Sequence, residues 1–99
     1  MSLCSADITQ HRIPSLAQLT AFAVAAEAGS LTRAAEALHI SQPAVSELLR
    51  RLELELDAQL IQRRGRPFQL TVEGELLLPF ATLAVEAARH GAEAVRAHR

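Results

Sequence analysis

The stretch from Ser41 to Leu56 has a regular pattern of hydrophobic and polar positions. Four of its apolar residues are separated by four, three and four positions and therefore share one side of a helix: Val45, Leu49, Leu52 and Leu56. Ser41 can cap the start of this helix, and Pro43 stands in the first turn, where a missing backbone donor costs nothing. The spacing predicts a helix with one buried stripe, and short polar and basic side chains project from the opposite side.

A further helix is predicted at the start of the patterned region. Ser15 and Gln18 have the spacing of a capping box, and Gly29 is placed to end the helix that they begin. The apolar side expected for this helix consists of Leu16, Leu19, Phe22, Ala23 and Ala26.

A short second helix is predicted between these two. Ser30 can cap it, and it extends through Leu38. Ala34 and Ala35 are small enough to let another helix approach closely, and Ile40 is the expected apolar plug in the brief link that follows. The resulting order is helix, tight turn, helix.

The segment from Leu60 to Thr71 is the concentrated basic part of the chain. It contains three arginines and no acidic residue. The arginines surround Gly65 and are Arg63, Arg64 and Arg66. Short apolar strand candidates flank them, at Leu60 and Ile61 on one side and from Phe68 on the other. This pattern predicts a small hairpin with a basic tip.

A long last helix is predicted after Thr71, which can cap it, with Glu73 and Glu75 in its positive first turn. Its apolar stripe consists of Leu76, Leu77, Phe80, Leu83, Ala84, Ala87, Gly91, Ala94 and Val95. Such a helix would be roughly 40 Å long, which is more than the core of so small a domain can cover, so a partner chain is expected to cover the rest. Pro79 is expected to kink or loosen the helix, because the carbonyl of Glu75 loses its usual donor.

Composition favours a single, mainly α domain. The chain has 99 residues, few of them aromatic, and its alanines and leucines suit helices packed on helices. The formal net charge of −1 does not indicate nucleic acid, so an electrostatic argument must depend on where the charges lie. All ten basic residues are arginines, which suits contacts to phosphate and base edges but is more simply explained by codon bias.

Several function classes find no support in the sequence. Cys4 is the single cysteine, and no apolar stretch is long enough for a transmembrane helix or a signal peptide. The four histidines lack the spacing of metal ligands, and no catalytic triad or glycine-rich phosphate loop is present. We therefore expect a soluble, cytoplasmic protein that is not an enzyme, with no cofactor, no metal site and no membrane contact. Residues 1–14 lack helical periodicity and are expected to form a flexible leader.

Two segments resemble the N-terminal DNA-binding domain of LysR-type transcriptional regulators. They are GSLTRAAEALHISQPAVSELLRRLE at residues 29–53 and LIQRRGRPFQLTVEGELLLP at residues 60–79. The resemblance implies a winged helix-turn-helix over residues 15–71, with a three-helix core and a small β-hairpin wing. It implies a linker and dimerisation helix over residues 72–99. It further implies a bacterial transcription factor that binds double-stranded DNA as a homodimer through this last helix.

The resemblance assigns contacts to particular residues. Base contacts are expected from Gln42, Pro43 and Ser46 in the major groove and from Arg66 of the wing in the minor groove. Phosphate contacts are expected from Thr32, Arg33, Ser41, Arg50, Arg63 and Arg64. Dimerisation contacts are expected from Leu76, Phe80, Leu83, Ala84, Ala87, Gly91 and Ala94. The chemistry agrees, because glutamine can pair with adenine and arginine suits a narrow, electronegative minor groove.

Some positions depart from the family's pattern. Glu47 stands where arginine is common, and a carboxylate near phosphate is repulsive unless it accepts from cytosine or is held by Arg50 or Arg51. Leu54 stands where a polar residue is usual, and Asp57 replaces a customary glycine, which can shift the end of the recognition helix. Family members are also much longer, so we expect either an excised fragment or a naturally short protein. A fragment is favoured because the chain stops inside an amphipathic helix. A small-molecule effector is expected to act only through a C-terminal domain absent from this chain.

The competing hypothesis is an interaction module. In that hypothesis the last helix of a small helical dimer binds a partner protein, and the arginines only confer solubility. The near-neutral net charge and the expected exposure of Leu54 favour it. It predicts weak, sequence-independent DNA binding that does not depend on Arg66.

Overall fold

The computed structural model describes residues 13–62 and 68–98. These residues form four helices: α1 (Leu16–Ala28), α2 (Leu31–Leu38), α3 (Gln42–Leu56) and α4 (Val72–Ala97). Helix α1 packs against the other three helices, and α2 packs against α3. The mainly α winged helix-turn-helix fold is confirmed. The leader up to Arg12 and the tip of the wing at residues 63–67 lie outside the described residues.

Each helix begins at the residue predicted from the sequence. At every start a hydroxyl accepts a hydrogen bond from a backbone amide in the first turn. The capping residues are Ser15, Ser30, Ser41 and Thr71. The backbone N–H of Gln18 donates to Ser15 Oγ at 3.1 Å. In return, the side-chain Oε1 of Gln18 accepts from Ser15 N at 2.9 Å, which completes the capping box.

Three helices end at a residue with left-handed backbone. Gly29 has a φ of 68° and ends α1 as predicted. His39 and Asp57 also adopt positive φ, at 59° and 52°. Asp57 therefore takes the conformation that a glycine adopts readily, and α3 still ends at Leu56.

The buried core lies where the helices and the base of the wing meet. It consists of Ala21, Phe22, Ala25, Ala34, Ala35, Val45, Leu49, Leu52, Leu60, Ile61 and Ala81. The predicted stripe of α3 is confirmed for Val45, Leu49 and Leu52, while Leu56 is half-buried and packs against the core.

Of the predicted apolar side of α1, Leu19 and Ala23 are half-buried and pack against the core, and Phe22 is fully buried. Ala21 and Ala25 are fully buried beside it, whereas Leu16 is 47% exposed. Helix α1 carries apolar residues on nearly every side, so periodicity alone did not select the buried face. The other three helices pack against α1, and its small alanine side chains let them approach closely. The expected plug, Ile40, is likewise 39% exposed rather than buried between α2 and α3.

Helix α4 is continuous from Val72 to Ala97, through Pro79. It meets the rest of the fold through Gly74 and Ala81, which are buried, and through Leu77 and Leu78, which pack against the core. Among the described residues, none of the helices combines the length and the apolar character that a membrane crossing requires.

Candidate nucleic-acid interface

The amino-terminal half of α3 presents polar side chains outside its buried stripe. Gln42 and Pro43 are exposed and Ser46 is half-buried, while Val45 and Leu49 of the stripe are buried in the core. Burial of the stripe fixes the rotation of the helix, so the polar face must point outward. The structure thus brings together the three α3 residues predicted to contact bases.

Gln42 and Ser46 are hydrogen bonded to each other. The Gln42 Nε2 donates to Ser46 Oγ at 3.1 Å, across one turn of the helix. This contact orients the glutamine amide along the helix surface. Both side chains have the donor and acceptor groups that base edges in a major groove require.

The next turn of α3 carries a compact cluster of charges. Arg50 Nε donates to Glu47 Oε1 at 2.9 Å, and Arg50 Nη2 donates to Glu47 Oε2 at 2.8 Å. Arg51 Nε donates to the same Oε2 at 2.8 Å. One carboxylate therefore holds two guanidinium groups, one of them in a bidentate contact. Of the two arrangements that the sequence left open for Glu47, the structure shows the one with Arg50 and Arg51.

The two arginines of this cluster lower the pKa of Glu47. The hydrogen bonds from Arg50, and then those from Arg51, lower the pKa of the carboxyl from an ordinary value of 4.5 to about 2. Because the folded pKa is depressed, the stabilisation by the ion pair is present above pH 4.5 and is lost as the pH falls towards 2.

We expect a carboxyl carbon NMR titration of Glu47 to show a midpoint near 2. In Arg50→Ala the midpoint should rise further than in Arg51→Ala, because Arg50 makes the bidentate contact. A wild-type midpoint near the ordinary value would contradict the cluster.

The residues predicted to bind phosphate lie partly within the described structure. Thr32 and Arg33 are exposed in the first turn of α2, where the Arg33 amide donates to Ser30 Oγ at 3.2 Å. Ser41 is exposed at the start of α3 and caps it. Helix amino termini carry partial positive charge and suit phosphate contacts. Of the other candidates, Arg50 is exposed on α3 and donates to Glu47, whereas Arg63 and Arg64 lie outside the described residues, as does Arg66.

The base of the predicted wing is formed by two short paired segments. Ile61 and Leu70 make an antiparallel bridge, and Gln62 N donates to Gln69 O at 2.9 Å. Next to it, Thr71 N donates to Leu60 O at 2.9 Å. The two ends of the loop are therefore held side by side, as the hairpin prediction requires.

Glu53 is a site-positioning residue that the sequence analysis missed. Its Oε2 accepts from Leu60 N at 2.8 Å and from Ile61 N at 3.3 Å, and this ties α3 to the wing base. The contact spans seven and eight residues, so helical periodicity could not indicate it. Gln18 was predicted only as a cap, yet it is buried and its Nε2 also donates to Glu55 Oε2 at 3.3 Å.

Large apolar side chains are exposed in a row along α4. Val72, Leu76, Phe80 and Leu83 follow one another at spacings of four, four and three, and each is exposed. Ala84 is half-buried beside them, and Ala87, Gly91 and Ala94 are exposed further along. We call the four large residues the α4 row. The row faces away from the core, which α4 contacts through Ala81 on its other side.

Comparison with known families identifies this arrangement. The family model described as the bacterial regulatory helix-turn-helix protein, lysR family, matches residues 16–75, which is more than half of the chain. The chain belongs to this family. The lysR-family match covers α1, α2, α3, the wing base and the first turn of α4.

Two solved structures of similar fold and one sequence relative support the assignment. An uncharacterised HTH-type transcriptional regulator from the ibpB-leuC intergenic region of Azotobacter vinelandii is 48% identical over 66 residues, covering 67% of this chain and 46% of the relative. Oxidised OxyR of Corynebacterium glutamicum has a TM-score of 0.80 and 42% identity, covering 84% of this chain and 27% of that chain. The BenM DNA-binding domain in complex with catB site 1 DNA has a TM-score of 0.77 and 32% identity, covering 83% of this chain and 92% of that domain.

The assignment fixes the general class of the protein. The chain carries the helix-turn-helix domain of this regulatory family, and its curated relatives are named transcriptional regulators rather than enzymes, in agreement with the sequence prediction. It spans 46% and 26% of the length of the first two curated relatives that it matches.

Proposed function

We propose that this chain reads specific sequences in double-stranded DNA, with α3 in the major groove and Arg66 of the wing in the minor groove. The observation that carries the proposal is the amino-terminal part of α3, where Gln42, Pro43 and Ser46 lie together outside the buried stripe. The BenM DNA-binding domain, which resembles this chain in fold, was solved bound to DNA.

Different residues have different tasks in the proposed complex. Gln42 and Ser46 hydrogen bond to base edges, and Pro43 makes an apolar contact. Phosphate contacts position the domain without reading sequence. They come from Thr32, Arg33, Ser41, Arg63 and Arg64, whereas Arg50, which the resemblance also placed on phosphate, is held by Glu47. Exposure of Thr32, Arg33 and Ser41 at helix amino termini supports this division.

The proposed DNA-binding unit is a homodimer, and the α4 row is its pairing surface. Val72, Leu76, Phe80 and Leu83 expose apolar area that a second α4 can cover. Pairing through a two-fold axis would place two α3 helices on two half-sites, so the binding site is expected to be an imperfect palindrome. Such a dimer would act in the cytoplasm, where the bacterial chromosome lies.

Fluorescence anisotropy of this chain on pooled genomic duplexes, against a scrambled duplex, tests the proposal. Nonspecific binding weakens by about 0.9 log units per phosphate contact per log unit of salt. We expect selected genomic fragments to stay bound near physiological salt while the scrambled duplex is released. Equal and salt-sensitive binding to both duplexes would instead favour the interaction module.

Gln42→Ala is expected to relax the preference at one base position by about 1 to 3 kcal/mol, because the paired adenine loses its bidentate partner. Arg66→Ala should lose affinity mainly at sites with A·T-rich flanks. A matched control is Gln59→Ala, which removes an exposed glutamine that lies outside α3. Operator binding that is unchanged in both variants would show that the contact assignments are wrong.

A further inference from the structure

Arg50 lies on the polar face of α3, and its guanidinium group is directed towards Glu47. At about 100° per residue, position 50 lies between Ser46 and Glu47 around the helix, close to the residues proposed to contact bases. Its guanidinium does not extend freely from this position. Both Nε and Nη2 donate to Glu47, at 2.9 and 2.8 Å.

The contact occupies the part of arginine that would bind DNA. A bidentate guanidinium edge matches a phosphate as well as it matches a carboxylate. Glu47 Oε2 also accepts from Arg51 Nε at 2.8 Å, so a single carboxylate restrains both arginines of this helix. The three side chains together carry one net positive charge, because one carboxylate offsets one of two guanidinium groups.

We propose that Glu47 is a specificity-determining positioning residue that restrains Arg50 and Arg51 from phosphate contact. The inference rests on the proposed function. Phosphate contacts strengthen binding to every sequence, whereas base contacts strengthen binding to the operator alone. By holding two arginines, Glu47 lowers the affinity for arbitrary DNA and leaves discrimination to Gln42 and Ser46.

The restraint acts more strongly on nonspecific complexes. In the operator complex the base contacts fix the register of α3, and the arginines reach only the phosphates that this register offers. On arbitrary DNA the helix is free to shift until its cations meet phosphates. Removing the restraint therefore strengthens nonspecific binding more than operator binding.

Glu47→Gln tests the inference in the full chain by fluorescence anisotropy over a KCl series, on a scrambled duplex and on an operator selected with the wild type. We expect about tenfold tighter binding to the scrambled duplex. The plot of log affinity against log salt concentration has a negative slope, which we call the salt slope. It should become steeper by about 0.9 if one arginine reaches phosphate and by about 1.8 if both do. The ratio of operator affinity to scrambled affinity should fall.

Glu93→Gln is the matched control. It makes the same change in net charge and also removes an ion pair, since Arg89 Nη1 donates to Glu93 Oε2 at 3.2 Å, but it lies on α4, where Arg89 stays paired with Glu86. Its slope should equal that of the wild type. In an Arg50→Ala, Arg51→Ala background, Glu47→Gln should leave the slope unchanged.

Two results would overturn the inference. Equal effects of Glu47→Gln and Glu93→Gln would assign the change to net charge alone. An unchanged slope in Glu47→Gln would show that the carboxylate does not restrain the arginines. A wild type that binds all duplexes equally would be a failure of the proposed function, and the slope of Glu47→Gln would still report on the restraint.

Discussion

Replacing Gly74 with alanine is expected to lower the free energy of unfolding by about 2 to 3 kcal/mol, the upper part of the range for an overpacked core. A Cβ at this position would lie 2.2 Å from the carbonyl oxygen of Leu60 and 3.2 Å from the Cβ of Leu70. The carbonyl cannot simply retreat, because it accepts a hydrogen bond from Thr71 N at 2.9 Å in the wing base. Either α4 or the wing base must move.

Gly91→Ala is a control of opposite sign. Gly91 lies in the same helix, and nothing lies within 4 Å of a Cβ built there. Alanine is the better helix former, so this variant should gain roughly 0.5 to 1 kcal/mol. Urea unfolding followed by circular dichroism gives both values, and a Leu83→Arg background prevents dimer formation from contributing. Equal stability of Gly74→Ala and its parent would mean that α4 does not pack on the wing base in this way.

Gly74 also shows where prediction from the sequence stops. The helix starts were predictable, because each depends on a hydroxyl and an amide about one turn apart, as for Ser41 and Ala44. The need for glycine at position 74 depends on Leu60, which is far away in the chain and approaches only in the folded state. A glycine inside a helical pattern indicates close packing only once the neighbour is known.

The same distinction holds for the candidate site. The outward face of α3 could be predicted from the spacing of its apolar residues. The pairing of Glu47 with Arg50 and Arg51 could be predicted because these arginines follow it by three and four positions in a helix. Glu53 was missed because its partners are the backbone amides of another segment. The buried side of α1 was predicted only in part, because that helix carries apolar residues on nearly every side. In both cases the outcome depends on contacts with other segments of the chain, which periodicity does not indicate.

Leu83→Arg is expected to convert the proposed dimer into monomers and to weaken operator binding by about 100-fold or more, because two linked half-sites bind with an avidity of that order. Leu83 is 66% exposed and lies in the α4 row. In the proposed dimer, full burial of each large apolar side chain of the row would contribute up to about 1.5 to 3 kcal/mol to pairing. An arginine there would be buried without a partner, and two-fold symmetry would introduce it on both sides of the interface.

Leu54→Arg is the matched control for oligomeric state. Leu54 is 65% exposed, so the same substitution makes almost the same change in surface, but on α3 instead of α4. Sedimentation velocity should give a monomer for Leu83→Arg and a dimer for the wild type and for Leu54→Arg. A Leu83→Arg protein that remains dimeric would refute the α4 row as the pairing surface. If the wild type is itself a monomer that binds an operator, the exposed row on α4 has another occupant, and half-site pairing must arise elsewhere.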